Sequence, residues 1–274
     1  MTTHEFNKVL LEIDGAVAKL IMNDPPVMNA AGAEMMGGLN KALNVVEKAG
    51  SGVRCVVWTG QGRGFCTGAN LSGGAGSGAG SNEAPDLDAR DAGMGLETTY
   101  HPFLRRIMNL KVPVITAING PAAGVGMSFA LMGDMILASK SAYFLQAFRR
   151  IGLVPDGGST WLLPRLVGIA RAKELSLLGE KLSSEKALEW GLINRVYDDE
   201  ELMPATMKLA HELAAGPTVS LGQIRSLYNR SMDRSYEEQL DAERWAQLVA
   251  GRSKDFTEGV SAFLQKRPAQ FKGE

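Results

Sequence analysis

Cysteine and histidine are the scarcest chemistry in this chain. Two of its 274 residues are cysteine, Cys55 and Cys66, and three are histidine. Two cysteines cannot build a disulfide framework, and these two are not spaced as a zinc site. His4, His101 and His211 are scattered and form no HExxH pair, so no metal is expected. No run of about 18 uncharged apolar residues occurs, which excludes a helical membrane span. Charge of one sign is not in excess either. The 29 basic and 30 acidic residues leave a net charge of −1, which offers no draw toward nucleic acid or a membrane surface. The opening MTTHEFNKVLLEIDG has no basic start followed by an apolar run, so no signal peptide is expected. The expectation is a cytoplasmic globular protein, and 45% hydrophobic with 22% charged residues suits it.

What the chain does have is alternation of strand and helix patterns, then helix alone. Residues 8–21 alternate about Asp14-Gly15 and predict a β-hairpin. Residues 32–48 place Met35, Met36, Leu39, Leu43 and Val46 at helical spacing. The β-branched runs 53–59 and 112–118 predict buried strands, and 135–138 a third. Residues 96–110 predict a helix. Residues 72–91 are Gly/Ser/Ala-rich and then acidic, the composition of a long surface loop. From residue 160 onward helical patterns dominate, over 161–167, 171–178, 184–190, 201–215, 217–230, 236–250 and 255–266. That order predicts an α/β core with a helical C-terminal region, divided at residues 1–200 and 201–274. The apolar faces of the last helices predict packing on another subunit.

Two glycine-rich loops each follow a predicted buried strand: GQGRGFCTGANL at 60–71 and NGPAAGVGMSFA at 119–130. Neither spells GxGxxG, which disfavours a dinucleotide site. Tight turns and close helix packing would explain either one alone. Two of them could instead bring one backbone N–H each to a single point, an oxyanion hole for charge developing on a carbonyl oxygen. In IGLVPDGGSTWLLPRLVG, Asp156 sits before a helix. By itself that is a capping position. Held in an apolar pocket, the same carboxylate would have a raised pKa and could shuttle protons. Ser128 lies in GMSFA, close to a GxSxG elbow, and Ser128, Asp156 and His211 follow hydrolase order. The preceding strand ends about ten residues too early for that elbow, so Ser128 is expected to be a small packing residue. Arg63, Lys266 and Arg267 are surface charges or phosphate contacts.

These blocks together resemble the crotonase superfamily, the enoyl-CoA hydratase/isomerase fold. The resemblance rests on GFCTGANL, PVITAINGPAAGVGMSFAL, IGLVPDGGSTWLLPRLVG, EWGLINRV and EGVSAFLQKRPAQF, in that order along nearly the whole chain. Within the superfamily the likeness is greatest to isomerases of ring-epoxide CoA thioesters in phenylacetate breakdown. It implies a spiral of ββα units over 1–200, a helical trimerisation region over 201–274, and trimers or dimers of trimers. It implies an acyl-CoA substrate, with no cofactor beyond that coenzyme A, whose thioester oxygen lies between the N–H groups of Ala69 and Val125. Gly124 would flank the second donor. CoA would run along Thr67, Ala69, Asn70 and Leu71, with Arg63 near a phosphate, Phe148 in the acyl pocket, and Phe263 and Lys266 completing the site. The family's hydratases use two glutamates, at positions that here hold Ser128 and Phe148. The implied activity is therefore isomerisation by a 1,3-proton shift, or opening of a ring epoxide, with Asp156 as acid/base. Water addition is the alternative within the family, and serine hydrolysis at Ser128 the distant one.

Overall fold

The computed structural model describes residues 1–70 and 91–274. Leu71 and the predicted 72–91 loop, save its last residue, lie outside the described residues. The strands are β1 (Thr2–Phe6), β2 (Val9–Asp14), β3 (Val17–Met22), β4 (Cys55–Gly60), β5 (Val114–Ile118), β6 (Ala122–Ala123), β7 (Met135–Ser139), β8 (Tyr143–Leu145), β9 (Lys181–Ser183) and β10 (Arg195–Tyr197). The helices are α1 (Ala33–Glu47), α2 (His101–Asn109), α3 (Val125–Ala130), α4 (Ser159–Val167), α5 (Ile169–Leu178), α6 (Ser184–Glu189), α7 (Leu202–Ala215), α8 (Thr218–Ser231), α9 (Tyr236–Gly251) and α10 (Lys254–Leu264).

The main sheet runs β1-β2-β3-β4-β5-β7-β10. β1, β2 and β3 are an antiparallel meander, and every later strand adds in parallel. The predicted hairpin is β2–β3, with Asp14 paired to Val17 across Gly15-Ala16. A second, narrow layer repeats the same plan. β6 pairs β8 in parallel, β8 pairs β9 antiparallel, and single bridges join Ala31 to Ala69 and Cys66 to Ala122. Each turn of the chain thus adds one strand to the large sheet and a shorter one to the small layer, the spiral expected of the crotonase fold.

β4 is buried along its whole length, as a parallel strand covered on both faces must be. Its side chains alternate between two cores. Val56 and Trp58 face the core shared with α1, α2 and α3, whereas Cys55 and Val57 face Leu209, Ala210 and Ala214 of α7. α7 therefore covers the back of the sheet. α8, α9 and α10 continue from it and leave Tyr228, Met232, Trp245, Phe256, Phe263 and Leu264 exposed. At the end of the sheet where β5 begins, the buried Arg225 of α8 caps the end of α2. Its guanidinium donates to the carbonyls of Ile107, Met108 and Leu110 (2.8, 2.6 and 3.0 Å) and to Asp134 Oδ2 (2.6 Å). Among the described residues no helix is long and apolar enough to cross a membrane.

Candidate active site

β4 and β5 are parallel neighbours, with Thr59 opposite Ala117. The loops that leave their C-terminal ends therefore run side by side. Cys66 N–H donates to Pro121 O (3.0 Å) and Ala123 N–H to Cys66 O (2.9 Å). Glycine permits this approach: a Cβ on Gly126 would lie 2.1 Å from Cys66 O. Gly124, with φ 54 and ψ −130, holds a conformation open only to glycine.

Two peptide planes are fixed by these contacts. Gly68 C=O accepts from Ala31 N–H at 2.7 Å. In a trans peptide the N–H on the other side, that of Ala69, must point the opposite way. Gly124 C=O accepts from Met127 and Ser128 N–H (3.0 and 3.4 Å), the first bonds of α3, which turns Val125 N–H outward from the helix start. Neither N–H has an acceptor among the described residues. The loops touch here, since a Cβ on Gly124 would be 3.7 Å from Gly68 Cα and 3.9 Å from Phe148 Cζ.

Asp156 is held against the same helix. Ser128 Oγ donates to Asp156 O at 2.8 Å, and a Cβ on Gly157 would be 2.6 Å from Ser128 Cβ and 3.3 Å from Val125 Cγ2. The capping role open to Asp156 is not the one it takes. Gly158 is the N-cap of α4, and the Asp156 carbonyl, not its carboxylate, receives Ser159 N–H and Oγ. Its Oδ1 is buried without a hydrogen-bond partner. Burial pushes this carboxyl up to about 6, because nothing nearby compensates the lost hydration.

The hydrolase arrangement does not assemble. Ser128 is fully buried with its hydroxyl committed to a carbonyl. His211 lies on α7, behind the sheet, and pairs with Asp14 Oδ2 at 3.3 Å. Of the other candidates, Phe148 is buried and borders Gly124. Thr67 turns its hydroxyl to the carbonyls of Val27 and Met28 (3.2 and 3.3 Å), tying the loop down. Asn70 N–H donates to Ala31 O at 3.3 Å. Arg63 is exposed on the same loop. Phe263 and Lys266 are exposed at the far end of α10, which packs on α9. No local motif marks Ala31 or Tyr100, whose hydroxyl donates to Ala31 O at 2.6 Å.

The sequence model of the enoyl-CoA hydratase/isomerase family matches residues 12–274. The chain belongs to the enoyl-CoA hydratase/isomerase family. It is 45% identical to the 1,2-epoxyphenylacetyl-CoA isomerase of Escherichia coli over 97% of this chain and 98% of that protein. It is 38% identical to a probable enoyl-CoA hydratase of Rhodobacter capsulatus, over 98% and 99% of the two chains. The crystal structure of an enoyl-CoA hydratase/isomerase from Cupriavidus metallidurans superposes with a TM-score of 0.87 at 31% identity, covering 98% of each chain. The chain is thus a crotonase-fold enzyme of the acyl-CoA isomerase/hydratase class.

Proposed function

We propose that this family member is an acyl-CoA isomerase that works by a proton shift on Asp156, over an oxyanion hole formed by Ala69 and Val125. The observation that carries this reading is a half-buried carboxylate whose Oδ1 has no partner among the described residues, held by Ser128 against the short helix whose first N–H points outward. In a 3-enoyl-CoA the carboxylate removes a proton from C2. The C–H electron pair becomes the C1=C2 bond of a dienolate and the carbonyl π pair moves onto the oxygen, which is held by the two N–H groups; the C3=C4 bond is still in place. Return of that proton to C4 leaves the conjugated 2-enoyl-CoA and regenerates the carboxylate. One group both takes and gives the proton, so a pKa near 6 suits it. The donors are fixed in advance, so charge on the oxygen meets no reorganisation.

Water addition needs a second group to hold and split the water. Ser128 has its hydroxyl committed to Asp156 O, and Phe148 is apolar. Both features favour the isomerase over the hydratase. The 45% identity to the Escherichia coli enzyme supports a ring-derived acyl group, such as an epoxy- or dienyl-acyl CoA thioester. Arg63, Thr67, Asn70 and Leu71 are proposed to follow the CoA arm. Phe263 and Lys266 are proposed to close the site of a neighbouring subunit in a trimer or dimer of trimers, an assembly that the exposed apolar residues of α8, α9 and α10 support. The helical region 201–274 serves that assembly and 1–200 the chemistry. The compartment is proposed to be the cytoplasm.

A paired turnover assay tests the reading. Supplied with a 3-enoyl-CoA, the enzyme is expected to generate conjugated thioester absorbance. Supplied with a 2-enoyl-CoA, it is expected to leave that absorbance in place. Loss of absorbance in the second assay alone would mean that water addition proceeds without paired carboxylates, and the isomerase reading would fall.

A further inference from the structure

We infer that Tyr100 is a positioning residue for the oxyanion hole: its hydroxyl fixes the backbone of Ala31, and Ala31 fixes the Ala69 peptide. The inference rests on the proposed role of Ala69 N–H. Three hydrogen bonds carry it. Ala31 N–H donates to Gly68 C=O at 2.7 Å, on the same peptide plane as Ala69 N–H. Asn70 N–H donates to Ala31 C=O at 3.3 Å, on the next plane. Tyr100 Oη donates to that same Ala31 carbonyl at 2.6 Å. Ala31 therefore grips Ala69 from both sides, and the shortest bond on Ala31 comes from Tyr100.

The geometry around Tyr100 favours this role over direct chemistry. Its proton is committed to a carbonyl of a fully buried residue. It ends a π-helical turn, Leu96–Tyr100, that leads into α2, a backbone form common beside functional sites. Its ring is placed against Phe129 of α3, 6.3 Å between centroids. The phenol therefore spans from the helix that carries Val125 to Ala31, the residue that pairs with the Ala69 loop. Burial, with smaller contributions from Cys66 and Asp156, pushes it up to about 12. The hydroxyl thus stays a donor throughout the titration of Asp156. With that bond gone, Ala31 C=O keeps, among the described residues, the longer bond to Asn70, and the Gly68–Ala69 plane can rock. Misplacement of a donor by a fraction of an ångström falls on the transition state more than on CoA binding.

Tyr100→Phe removes the hydroxyl and keeps the ring. On a 3-enoyl-CoA, kcat is expected to fall roughly 10-fold with KM within about twofold. The acid limb of kcat/KM, set by Asp156 in the free enzyme, is expected to stay near pH 6. A bound conjugated thioester reports the hole directly, since donors on its oxygen shift its absorbance to the red. That shift is expected to shrink in the variant. Fluorotyrosine at position 100 still donates and is expected to restore both kcat and the red shift, which also separates loss of the bond from loss of folding. Unchanged kcat and absorbance in Tyr100→Phe would overturn the inference, as would a moved acid limb, which would place Tyr100 in the service of Asp156 instead. Failure of the function itself reads differently: Asp156→Asn would keep its turnover while the absorbance test of Tyr100 still gave its answer.

Discussion

The two ends of the parallel strands handle polar groups in opposite ways. Where β5 begins, Asp134 is packed among partners: Arg225 donates to it at 2.6 Å and Val114 N–H at 2.7 Å. Arg225 also satisfies three carbonyls of the α2 terminus. Where β4 and β5 end, Asp156 Oδ1, Ala69 N–H and Val125 N–H are left with no partner among the described residues. Burial pushes both carboxyls up, but in Asp134 the Arg225 charge and the Val114 N–H pull back. Most buried polar groups of a fold find partners, so three unpartnered groups that meet at one place read as a site waiting for charge.

Exchanging the character of the two ends tests the contrast. The largest effect is expected at Asp156. Asp156→Asn keeps the shape and removes the base, and turnover is expected to drop by about 10²–10⁴ in a 3-enoyl-CoA assay. Arg225→Met at the other end removes the buried guanidinium that serves Asp134 and three α2 carbonyls. A loss of about 1–3 kcal/mol is expected in denaturant unfolding, with kcat of the folded fraction unchanged. Val125→Pro removes one N–H at the first position of α3, where proline fits a helix, and is expected to cost about 10²–10³ in kcat. A Val125→Pro enzyme at full speed would remove this N–H from the chemistry.

A smaller effect, of opposite sign, sharpens the same comparison. The Asp156 carboxyl ionises near 3.8 when unfolded and at about 6 when folded. Between these values the folded state holds the extra proton, so its stability falls as pH rises from about 4 to about 6 and is flat above. At pH 8 Asp156→Asn is therefore expected to be more stable than the parent, by about 1–2 kcal/mol once partial exposure is discounted. A melting series at pH 4 and pH 8 checks it: the gain belongs to the higher pH. Turnover of the parent runs the other way, rising with pH through about 6 as the carboxylate forms.

The strands and helices that frame the site were legible because each carries a strong local pattern. β4 and β5 are β-branched runs, and α1 has apolar residues at helical spacing. β1 was missed, and so were β8 and β9, which are three residues long and too short to show a period. Glycines mark the two loops and a proline the turn of Asp156, but Ala69 and Val125 were nominated only through the resemblance to the crotonase family. The choice between cap and base at Asp156 needed the neighbours, since it is Ser128 that takes up its carbonyl. Tyr100 to Ala31 and Arg225 to Asp134 join residues 69 and 91 positions apart. No local pattern announces such pairs, so the sequence reading lacked both.

The strand order of the main sheet has a consequence for how the chain is made. From β1 through β7 each strand of that sheet lies beside the one before it in the chain. A nascent chain leaving the ribosome can therefore lay down the sheet from one edge, each strand finding its template already in place. Few distant segments have to be awaited and little edge stays bare for long, which limits the exposure that leads large domains to aggregate during synthesis. The two loops of the site follow consecutive members of that series, so the oxyanion donors can come into register as the sheet grows, before α7 is available to cover its back.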